Sequence, residues 1–315
     1  MPGNGAYAFT EPGDYEASVE EAKIELVVTG GGCFKAALTR AELDELHLLR
    51  SQEDLASVAY AALRTDWVFV AFPTRFDPPP VCGGQELRPG DIVFHSLGER
   101  VHWRAAGASG KGFIALRPER LAFWSHALTE AEVAPPNFAR IVRPSGSAAK
   151  RLVRLHAAAC RLVEESPQMI AHPEVRRALE QELIHALIAC LRLDAELQVS
   201  PIKTRRAAVM ARFEEALAAH PDRPLHMPEL CGAIGVSDRT LRLCCAEFLG
   251  MSPGRYLRLR RLKLARAALR RLDAATTSVA AVARRYGFGE LGRFASLYRA
   301  VYGETPSATL RRQPL

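Results

Sequence analysis

The chain has 315 residues, of which 48% are hydrophobic and 24% are charged, a composition typical of a globular protein with room for two domains. The sequence contains no apolar run of membrane-spanning length and no secretory signal pattern, so we expect a cytoplasmic protein without membrane contact. The formal charge of +7 is uneven: residues 203–315 carry 21 basic and 9 acidic side chains, whereas residues 1–202 have a net charge of −5. This distribution predicts that the C-terminal part binds a polyanion.

Seven cysteines are present, an odd number, and no two of them have the C-x-x-C spacing. The sequence therefore predicts neither a disulfide framework nor a zinc site. We expect most of the cysteines to pack as small hydrophobic side chains. The adjacent pair Cys244 and Cys245 leaves a second interpretation open, in which the two thiols respond to oxidants.

The N-terminal third alternates short apolar segments with turns rich in glycine and proline. Ala22–Thr29, Trp67–Phe72 and Asp91–His95 are rich in β-branched and aromatic residues, which predicts strands. Thr39–Leu49 is compatible with a short helix or an extended segment. Many short strands between tight turns are typical of a sandwich or a small barrel, and Arg117–Leu128 predicts a helix that leaves it.

Residues 134–147 are rich in proline and serine and predict a linker. Behind it, apolar residues recur at helical spacing in Ala148–Glu165 and Pro173–Leu193, which predicts a pair of helices. Such a pair either forms the contact between two subunits of a homodimer or packs on its own domain. Residues 198–206 predict the hinge to the last domain.

Two similar patterns follow, over Pro224–Pro253 and Ser278–Pro306. Each combines a short apolar helix, a turn with glycine and a second helix, as in a helix-turn-helix unit. The segment between them predicts a helix about 30 Å long, close to the spacing of about 34 Å between successive major grooves on one side of B-DNA. The sequence therefore predicts an all-α domain whose two units read adjacent grooves of double-stranded DNA.

The residues that reach the bases in this arrangement lie near the start of the second helix of each unit. Arginine can donate two hydrogen bonds to guanine, and short polar side chains reach bases or phosphates. The neighbouring residues Leu241, Phe294 and Leu297 are expected in the core, and Ser237 is also expected to cap its helix. The candidates are Ser237, Asp238, Arg239, Thr240 and Arg242 in the first unit, and Glu290, Gly292, Arg293, Ser296 and Arg299 in the second.

The long helix between the units has an amphipathic pattern. Its arginines, Arg266 among them, are expected away from the buried face. That face is predicted to consist of Leu259, Leu262, Ala265, Leu269 and Leu272.

The C-terminal residues resemble the AraC/XylS family of bacterial transcription activators over about residues 205–312. The resemblance rests on the segments GVSDRTLR (235–242), LGMSPGRYLRLRRLKLARAAL (249–269), SVAAVARRYGF (278–288) and GRFASLYRAVYGETP (292–306). It implies a seven-helix domain with two helix-turn-helix units joined by a central helix. It also implies promoter DNA as the partner, together with RNA polymerase.

The first unit departs from the family pattern at two places. Arg242, Leu243, Cys244 and Cys245 stand where the family has a polar residue, an arginine, an apolar residue and a phenylalanine. Met227 stands where a serine or threonine cap is common. Both departures concern the contacts of the first reading helix.

Many members of this family carry a cupin-like β-barrel followed by dimerising helices, and residues 90–102 resemble a cupin turn. The resemblance implies an α+β chain with a regulatory domain at 1–133, a helical dimerisation segment at 134–200 and a DNA-binding domain at 201–315. It further implies a sequence-specific regulator, most often an activator, that is gated by a small-molecule effector. Five aromatic residues of this domain are candidates for lining the effector pocket, and the alternative is that they belong to the hydrophobic core. They are Trp67, Phe69, Phe94, Trp103 and Phe113.

Other functions are weighed against this interpretation. In one alternative, the N-terminal domain binds no effector and serves only for dimerisation. In another, it is a metal-dependent cupin enzyme. The enzyme needs a His-x-His motif with a following glutamate, which the sequence lacks, so His95 and His102 are interpreted as strand or pocket residues. A DNA-repair methyl acceptor needs a four-cysteine zinc cluster, which is also lacking. We therefore predict no catalytic residue, no metal site and no cofactor.

Overall fold

The chain folds into an N-terminal part that contains sheets and helices and a C-terminal part of helices. The structure, a computed structural model, describes residues 4–192, 201–220, 225–273 and 277–312. The α+β class expected from the sequence is confirmed. Among the described residues, no helix combines the length and the apolar character that crossing a membrane requires.

Two antiparallel sheets make up most of the N-terminal part, and neither closes on itself. The seven-stranded sheet has the order β1 (Gly5–Phe9), β3 (Ala36–Glu42), β4 (His47–Glu53), β11 (Ser109–Leu116), β6 (Val68–Pro73), β9 (Ile92–Phe94) and β12 (Arg140–Val142). The five-stranded sheet has the order β2 (Ala22–Val28), β5 (Ser57–Leu63), β10 (Arg100–Ala105), β7 (Val81–Cys82) and β8 (Gln85–Glu86).

The register of the five-stranded sheet collects apolar side chains on one of its faces. Leu26 and Ile24 of β2 pair with Ala59 and Ala61 of β5, and Trp103 of β10 pairs with Ala59 from the other side. Because successive side chains of a strand point to opposite faces, these residues share a face. That face contributes to an apolar core between the two sheets.

The predicted strands are found as β2, β6 and β9. Thr39–Leu49 is extended in β3 and β4, so the helical alternative is wrong. The predicted linker also needs correction, because it contains β12, in which Ile141 pairs with Val93 of β9. A strand of three residues is stabilised by its partner in the sheet, which the local sequence does not reveal.

Strand β11 lies near the middle of the seven-stranded sheet although its sequence contains two glycines. It pairs with β4 on one side and with β6 on the other. A Cβ on Gly112 would collide with the ring of Phe72. The glycine therefore permits the close approach of a neighbouring side chain. It also interrupts the alternation of apolar and polar residues by which a strand is predicted from sequence.

Helices cover the outer face of the seven-stranded sheet. The predicted helix pair is found, and its members pack against each other and, through the first, against β3 and β4. The pair thus buries a face on its own domain, and a contact with a second subunit stays a prediction. The helices of this part are α1 (Pro12–Ala17), α2 (Pro118–Thr129), α3 (Gly146–Glu165), α4 (Pro167–Ala171) and α5 (Pro173–Leu191).

A buried histidine ties α3 to the sheet. The Nε2 atom of His156 lies 3.0 Å from the carbonyl oxygen of Leu49 and 3.2 Å from that of Phe113, and its ring packs edge-on against Phe72. Two carbonyl acceptors require that this nitrogen carries a proton. Burial lowers the pKa of His156 to about 4 despite these hydrogen bonds, so the ring is neutral at pH 7.

Seven helices form the described C-terminal part, the number that the family resemblance implies. The two helix-turn-helix units are α7–α8 and α10–α11, and α9 joins them with 19 residues or about 28 Å of helix. The helices are α6 (Pro201–Ala218), α7 (Met227–Ile234), α8 (Asp238–Leu249), α9 (Pro253–Arg271), α10 (Val279–Arg285), α11 (Leu291–Tyr302) and α12 (Pro306–Arg311).

Three expectations for this part are wrong. Residues 201–206 of the predicted hinge belong to α6, while residues 198–200 lie outside the described residues. Arg266 is buried, with 8% of its surface exposed, whereas Leu272 at the end of α9 is 37% exposed. The apolar stripe of α9 is visible in its periodicity, but the groups that enclose Arg266 come from distant parts of the chain, Glu11 from the N-terminal part and Glu304 from the residues after α11.

We expect the pH dependence of unfolding to report on His156. An unfolded histidine titrates near pH 6.5, whereas the pKa of His156 in the folded chain is about 4 because the ring is buried. The unfolded state therefore takes up a proton first as the pH falls, and this residue removes up to about 3 kcal/mol of stability between pH 6.5 and pH 4. Urea unfolding at pH 7.0 and pH 4.5 measures the loss.

The matched variant is His156→Gln, whose amide group can donate to the same carbonyl oxygens without titrating. Its loss of stability between the two pH values should be smaller than that of the unaltered chain. Equal losses in the two proteins would show that other groups cause the acid sensitivity.

Candidate nucleic-acid interface and ligand cavity

The first reading helix, α8, begins and ends at the predicted capping residues. Ser237 Oγ accepts a hydrogen bond of 3.2 Å from the backbone N–H of Thr240. Gly235 before the helix and Gly250 after it have φ values of 72° and 68°, which glycine adopts without strain. The predicted turn and both predicted ends of α8 are confirmed.

The family departures in this unit are accommodated by local packing. Met227 is the first residue of α7 and follows His226, whose backbone N–H donates to the Glu229 carboxylate at 3.0 Å. Cys244 and Cys245 are buried, and burial raises the pKa of both thiols. Since the thiolate is the reactive form of cysteine, this surrounding argues against the oxidant-sensing interpretation.

All ten positions predicted to reach DNA are exposed. They form two groups, one at the start of α8 and the other along α11, where Glu290, Gly292 and Arg293 lie at the start, Ser296 follows one turn later and Arg299 lies in the last turn. The neighbouring residues Leu241 and Phe294 are buried, and Leu297 is partly buried. Each reading helix therefore rests on an apolar face and presents polar groups to solvent from its first turns.

Each group contains an arginine that is paired with an acidic residue of the same helix end. Arg242 Nε lies 2.7 Å from Asp238 Oδ2, and Arg293 Nη1 lies 2.8 Å from Glu290 Oε1. The two arginine side chains are 57% and 83% exposed. Exposed ion pairs of this kind contribute about 0–1 kcal/mol, so a guanine or a phosphate can displace the carboxylate at little cost.

The far ends of the reading helices pack against loops of the N-terminal part. A Cβ on Gly31 would lie 2.5 Å from the carbonyl oxygen of Ala300, near the end of α11. At the end of α8, a Cβ on Gly84 would lie 3.0 Å from the ring of Phe248. The contacts hold the C-terminal ends of α8 and α11 and leave their N-terminal ends free.

Ion pairs join one face of the central helix α9 to the start of the chain. The basic residues recur every three or four positions and therefore share a helix face, while Arg255 and Arg258 stay exposed elsewhere on α9. The acidic excess of the N-terminal part thus neutralises basic residues that the charge count had assigned to DNA. The pairs are Arg260 with Glu25 (2.7 Å), Lys263 with Glu16, Arg266 with Glu11 (2.7 Å) and Arg270 with Asp14 (3.1 Å).

Arg266 is the most enclosed of these basic groups. Besides Glu11, its guanidinium contacts the Tyr298 hydroxyl at 3.1 Å and Glu304 Oε1 at 2.9 Å. The ring of Tyr302 lies 4.4 Å from its central carbon. This single side chain connects the N-terminal part, the central helix and the second helix-turn-helix unit.

A second buried cluster joins β10 to the C-terminal helices. His102 Nε2 lies 2.8 Å from Glu214 Oε1, and the Tyr256 hydroxyl donates to the same oxygen at 3.2 Å. Next to it, Arg100 pairs with Glu215, but both side chains are about half exposed. The interface therefore has a buried polar centre and a solvated ion pair at its edge.

A cavity of about 60 Å³ lies between the two sheets. Of the five aromatic residues named as candidates for an effector pocket, Phe69, Trp103 and Phe113 line this cavity. Trp67 and Phe94 do not: Trp67 packs against the ring of His47, and Phe94 belongs to the apolar core on the other side of the seven-stranded sheet. The aromatic character of a residue does not determine which face of the sheet its side chain points to. That face depends on the register of the strand.

The five-stranded sheet separates this cavity from the C-terminal helices. On β10, Val101 and Trp103 line the cavity, whereas His102 between them bonds to Glu214 of α6. On β2, Ile24 and Leu26 line the cavity, whereas Glu25 pairs with Arg260 of α9. Strand alternation thus places the cavity on one face of the sheet and the interdomain contacts on the other.

The two histidines weighed as metal ligands are both engaged in hydrogen bonds. His95 Nδ1 lies 2.8 Å from Glu99 Oε2, and His95 also lines the cavity. His102 is bonded to Glu214. In the part of the chain that the structure describes, no three side chains of metal-binding type come together.

A family of helix-turn-helix domains matches residues 230–312. A structure described as a probable AraC family transcriptional regulator from Rhodopseudomonas palustris is 35% identical, over 34% of this chain and 98% of that chain, with a TM-score of 0.31. The chain belongs to the AraC/XylS family. The residues that the helix-turn-helix family matches, 230–312, lie within the seven-helix part.

Curated relatives of this AraC/XylS-family chain are named as regulators of operons. The probable thc operon regulatory protein of Rhodococcus erythropolis is 32% identical over 151 residues, or 48% of this chain. The XylDLEGF operon transcriptional activator 1 of Pseudomonas putida is 38% identical over 93 residues, or 30% of this chain. The chain spans 46% and 28% of the lengths of these two relatives, less than half of each.

The crystal structure of the AraC-like transcriptional activator CuxR covers more of the chain. It matches 83% of this chain and 95% of that chain at 16% identity, with a TM-score of 0.44. Both TM-scores are below 0.5, so neither likeness defines how the two parts of this chain are arranged.

We expect Glu214→Ala to destabilise the chain by about 1–3 kcal/mol, because it leaves His102 and Tyr256 buried without their common partner. The neighbouring variant Glu215→Ala is the matched control, since it removes an exposed ion pair that contributes about 0–1 kcal/mol. Urea unfolding of both variants measures the difference. A loss as large in Glu215→Ala as in Glu214→Ala would show that the buried cluster has no special role.

Proposed function

We propose that this chain is a sequence-specific DNA-binding regulator of transcription that reads two neighbouring segments of major groove with α8 and α11. The observation that carries the proposal is the exposure of all ten candidate positions, nine of them in the first half of these helices or just before it and Arg299 in the last turn of α11. Arg242 and Arg293 are the groups suited to reading guanine. The hydroxyl groups of Thr240 and Ser296 are suited to bases or phosphates.

We propose a separate role for each of three segments of the chain. Residues 1–133 form the regulatory domain, residues 134–200 the helical dimerisation segment and residues 201–315 the DNA-binding domain. The helix pair α3–α5 is the surface for a second copy of the chain. As a regulator of operons, like the relatives whose names describe them so, the protein acts on chromosomal DNA in the cytoplasm and activates transcription together with RNA polymerase.

We propose further that a small molecule in the cavity controls DNA binding. The support is the position of the five-stranded sheet, which has the cavity on one face and α6, α8 and α9 on the other. A ligand changes an equilibrium only if it binds one state more tightly than the other. A molecule that shifts β10 or β2 changes the contacts of His102 or Glu25, and with them the placement of the reading helices.

The two arginines provide the test of base reading. Genome-wide mapping of bound sites first supplies a specific DNA duplex. Arg242→Ala and Arg293→Ala should each weaken binding of the full chain to that duplex by about 1–3 kcal/mol, with a smaller loss on unrelated DNA. Fluorescence anisotropy at one fixed salt concentration measures both affinities.

The control variant is Arg75→Ala, an exposed arginine of the N-terminal part that lies outside both the DNA-binding domain and the dimerisation segment. Its affinity for both duplexes should stay within a factor of two. Equal losses on the specific and the unrelated duplex would assign the two arginines to phosphates. Unchanged binding in both variants would show that the starts of α8 and α11 are not the DNA interface.

A further inference from the structure

The cavity has one polar end, built around the carboxylate of Glu53. This carboxylate accepts hydrogen bonds from the Tyr15 hydroxyl at 2.6 Å, from the Ser109 hydroxyl at 2.5 Å and from the Lys111 ammonium at 2.9 Å. Burial by itself would raise the pKa of Glu53, but the Lys111 charge and these hydrogen bonds outweigh it and lower the pKa. Glu53 is therefore an ionised carboxylate whose oxygen atoms are already occupied.

The polar groups that remain open at this end are donors. Ser51 is 3% exposed and lines the cavity. The Tyr15 oxygen lies near enough to interact with the Ser51 hydroxyl, but Ser51 Oγ makes no hydrogen bond of normal geometry within the described residues, and the Tyr15 proton is donated to Glu53. Lys111 carries three N–H groups, and Glu53 is the one acceptor that the described residues offer it. Burial of a hydroxyl that lacks a full hydrogen bond is unfavourable, and a suitable ligand group would supply that bond.

The charges around the cavity are balanced before any ligand enters. Lys111 compensates Glu53, and Glu21, which also lines the cavity, is paired with Arg40 at 3.0 Å. His95, the other basic side chain of the lining, is paired with Glu99 at 2.8 Å. A ligand carboxylate would therefore add a negative charge where each basic group already has a carboxylate partner. Burial of such an uncompensated charge is strongly unfavourable.

The rest of the lining is apolar and the space is small. Aliphatic side chains such as Leu38, Leu49 and Val101 and the rings of Phe69 and Trp103 form most of the wall. The volume of about 60 Å³ is less than half of the roughly 150 Å³ of an engineered cavity that binds benzene. A molecule of a few heavy atoms fits the cavity as it stands.

We propose that the cavity binds a small uncharged molecule with an apolar body and a single hydrogen-bond acceptor, such as an amide or ketone carbonyl, that is oriented by Ser51 and Lys111. The matching carboxylate is excluded by charge. This inference rests on the proposed effector function, for which it names the chemical class of the ligand.

The experiment compares two probes of nearly equal shape, propionamide and propionate, at pH 7. The full chain is labelled with 5-fluorotryptophan, and the resonance of Trp103, which lines the cavity, is assigned with Trp103→Phe. Fluorine NMR titrations then give the affinity of each probe. We expect propionamide to shift the Trp103 resonance in a saturable way and propionate to bind at least tenfold more weakly.

Ser51→Ala tests the orienting hydroxyl. It should weaken propionamide binding by about three- to tenfold, the equivalent of one neutral hydrogen bond. Xenon is the internal control, because it enters apolar cavities without any hydrogen bond. Its effect on the Trp103 resonance should be the same in the variant and the unaltered chain, which shows that the cavity is intact.

The remaining outcomes overturn the inference in distinguishable ways. Propionate binding as tightly as propionamide would overturn the ligand class and leave the effector site in place. Unchanged propionamide binding in Ser51→Ala, with xenon binding retained, would overturn the role of Ser51. If neither propionamide nor xenon affects Trp103, both the inference and the proposed effector site fail, whereas the DNA-binding proposal is judged by the arginine variants alone.

Discussion

The burial of one permanent positive charge constrains how the two halves of this chain are arranged. The guanidinium of Arg266 stays protonated at any accessible pH, so its burial is stable only while acidic and polar partners surround it. Those partners come from separate parts of the chain: Glu11 precedes α1, Tyr298 belongs to α11, and Glu304 follows α11. The N-terminal part, the central helix and the second reading helix are therefore positioned by the same group.

The ion pairs around α9 also change how the charge distribution along the sequence is interpreted. The count of 21 basic residues after residue 202 suggests a surface that is available to nucleic acid throughout. Instead, one face of α9 is matched by the acidic residues of the N-terminal part, and the positive charge left for DNA lies on exposed arginines such as Arg242, Arg293 and Arg258. The acidic half of the chain thus forms a surface complementary to one face of α9, whereas the arginines of the reading helices stay exposed and carry only solvated ion pairs.

The same arrangement connects the cavity to the DNA-binding helices without a long path. A single layer, the five-stranded sheet, lies between them, and each of its strands β2 and β10 contributes alternate residues to the two sides. Val101 and Trp103 face the cavity, and His102, between them in the chain, faces the C-terminal helices, which is the geometry that the proposed control by a small molecule requires.

The sequence by itself determined the C-terminal domain and the residues that it presents. Helix starts, glycine turns and apolar stripes are local signals, because capping and periodicity act within a few residues. This is why the ends of α8 and the exposure of Arg293 could be predicted. The tertiary structure alone decided the burial of Arg266, the strand in residues 140–142, and which aromatic residues reach the cavity. Each of these depends on a partner far away in the chain, since strand register and the pairing of a buried charge are long-range contacts that leave no periodic trace in the local sequence.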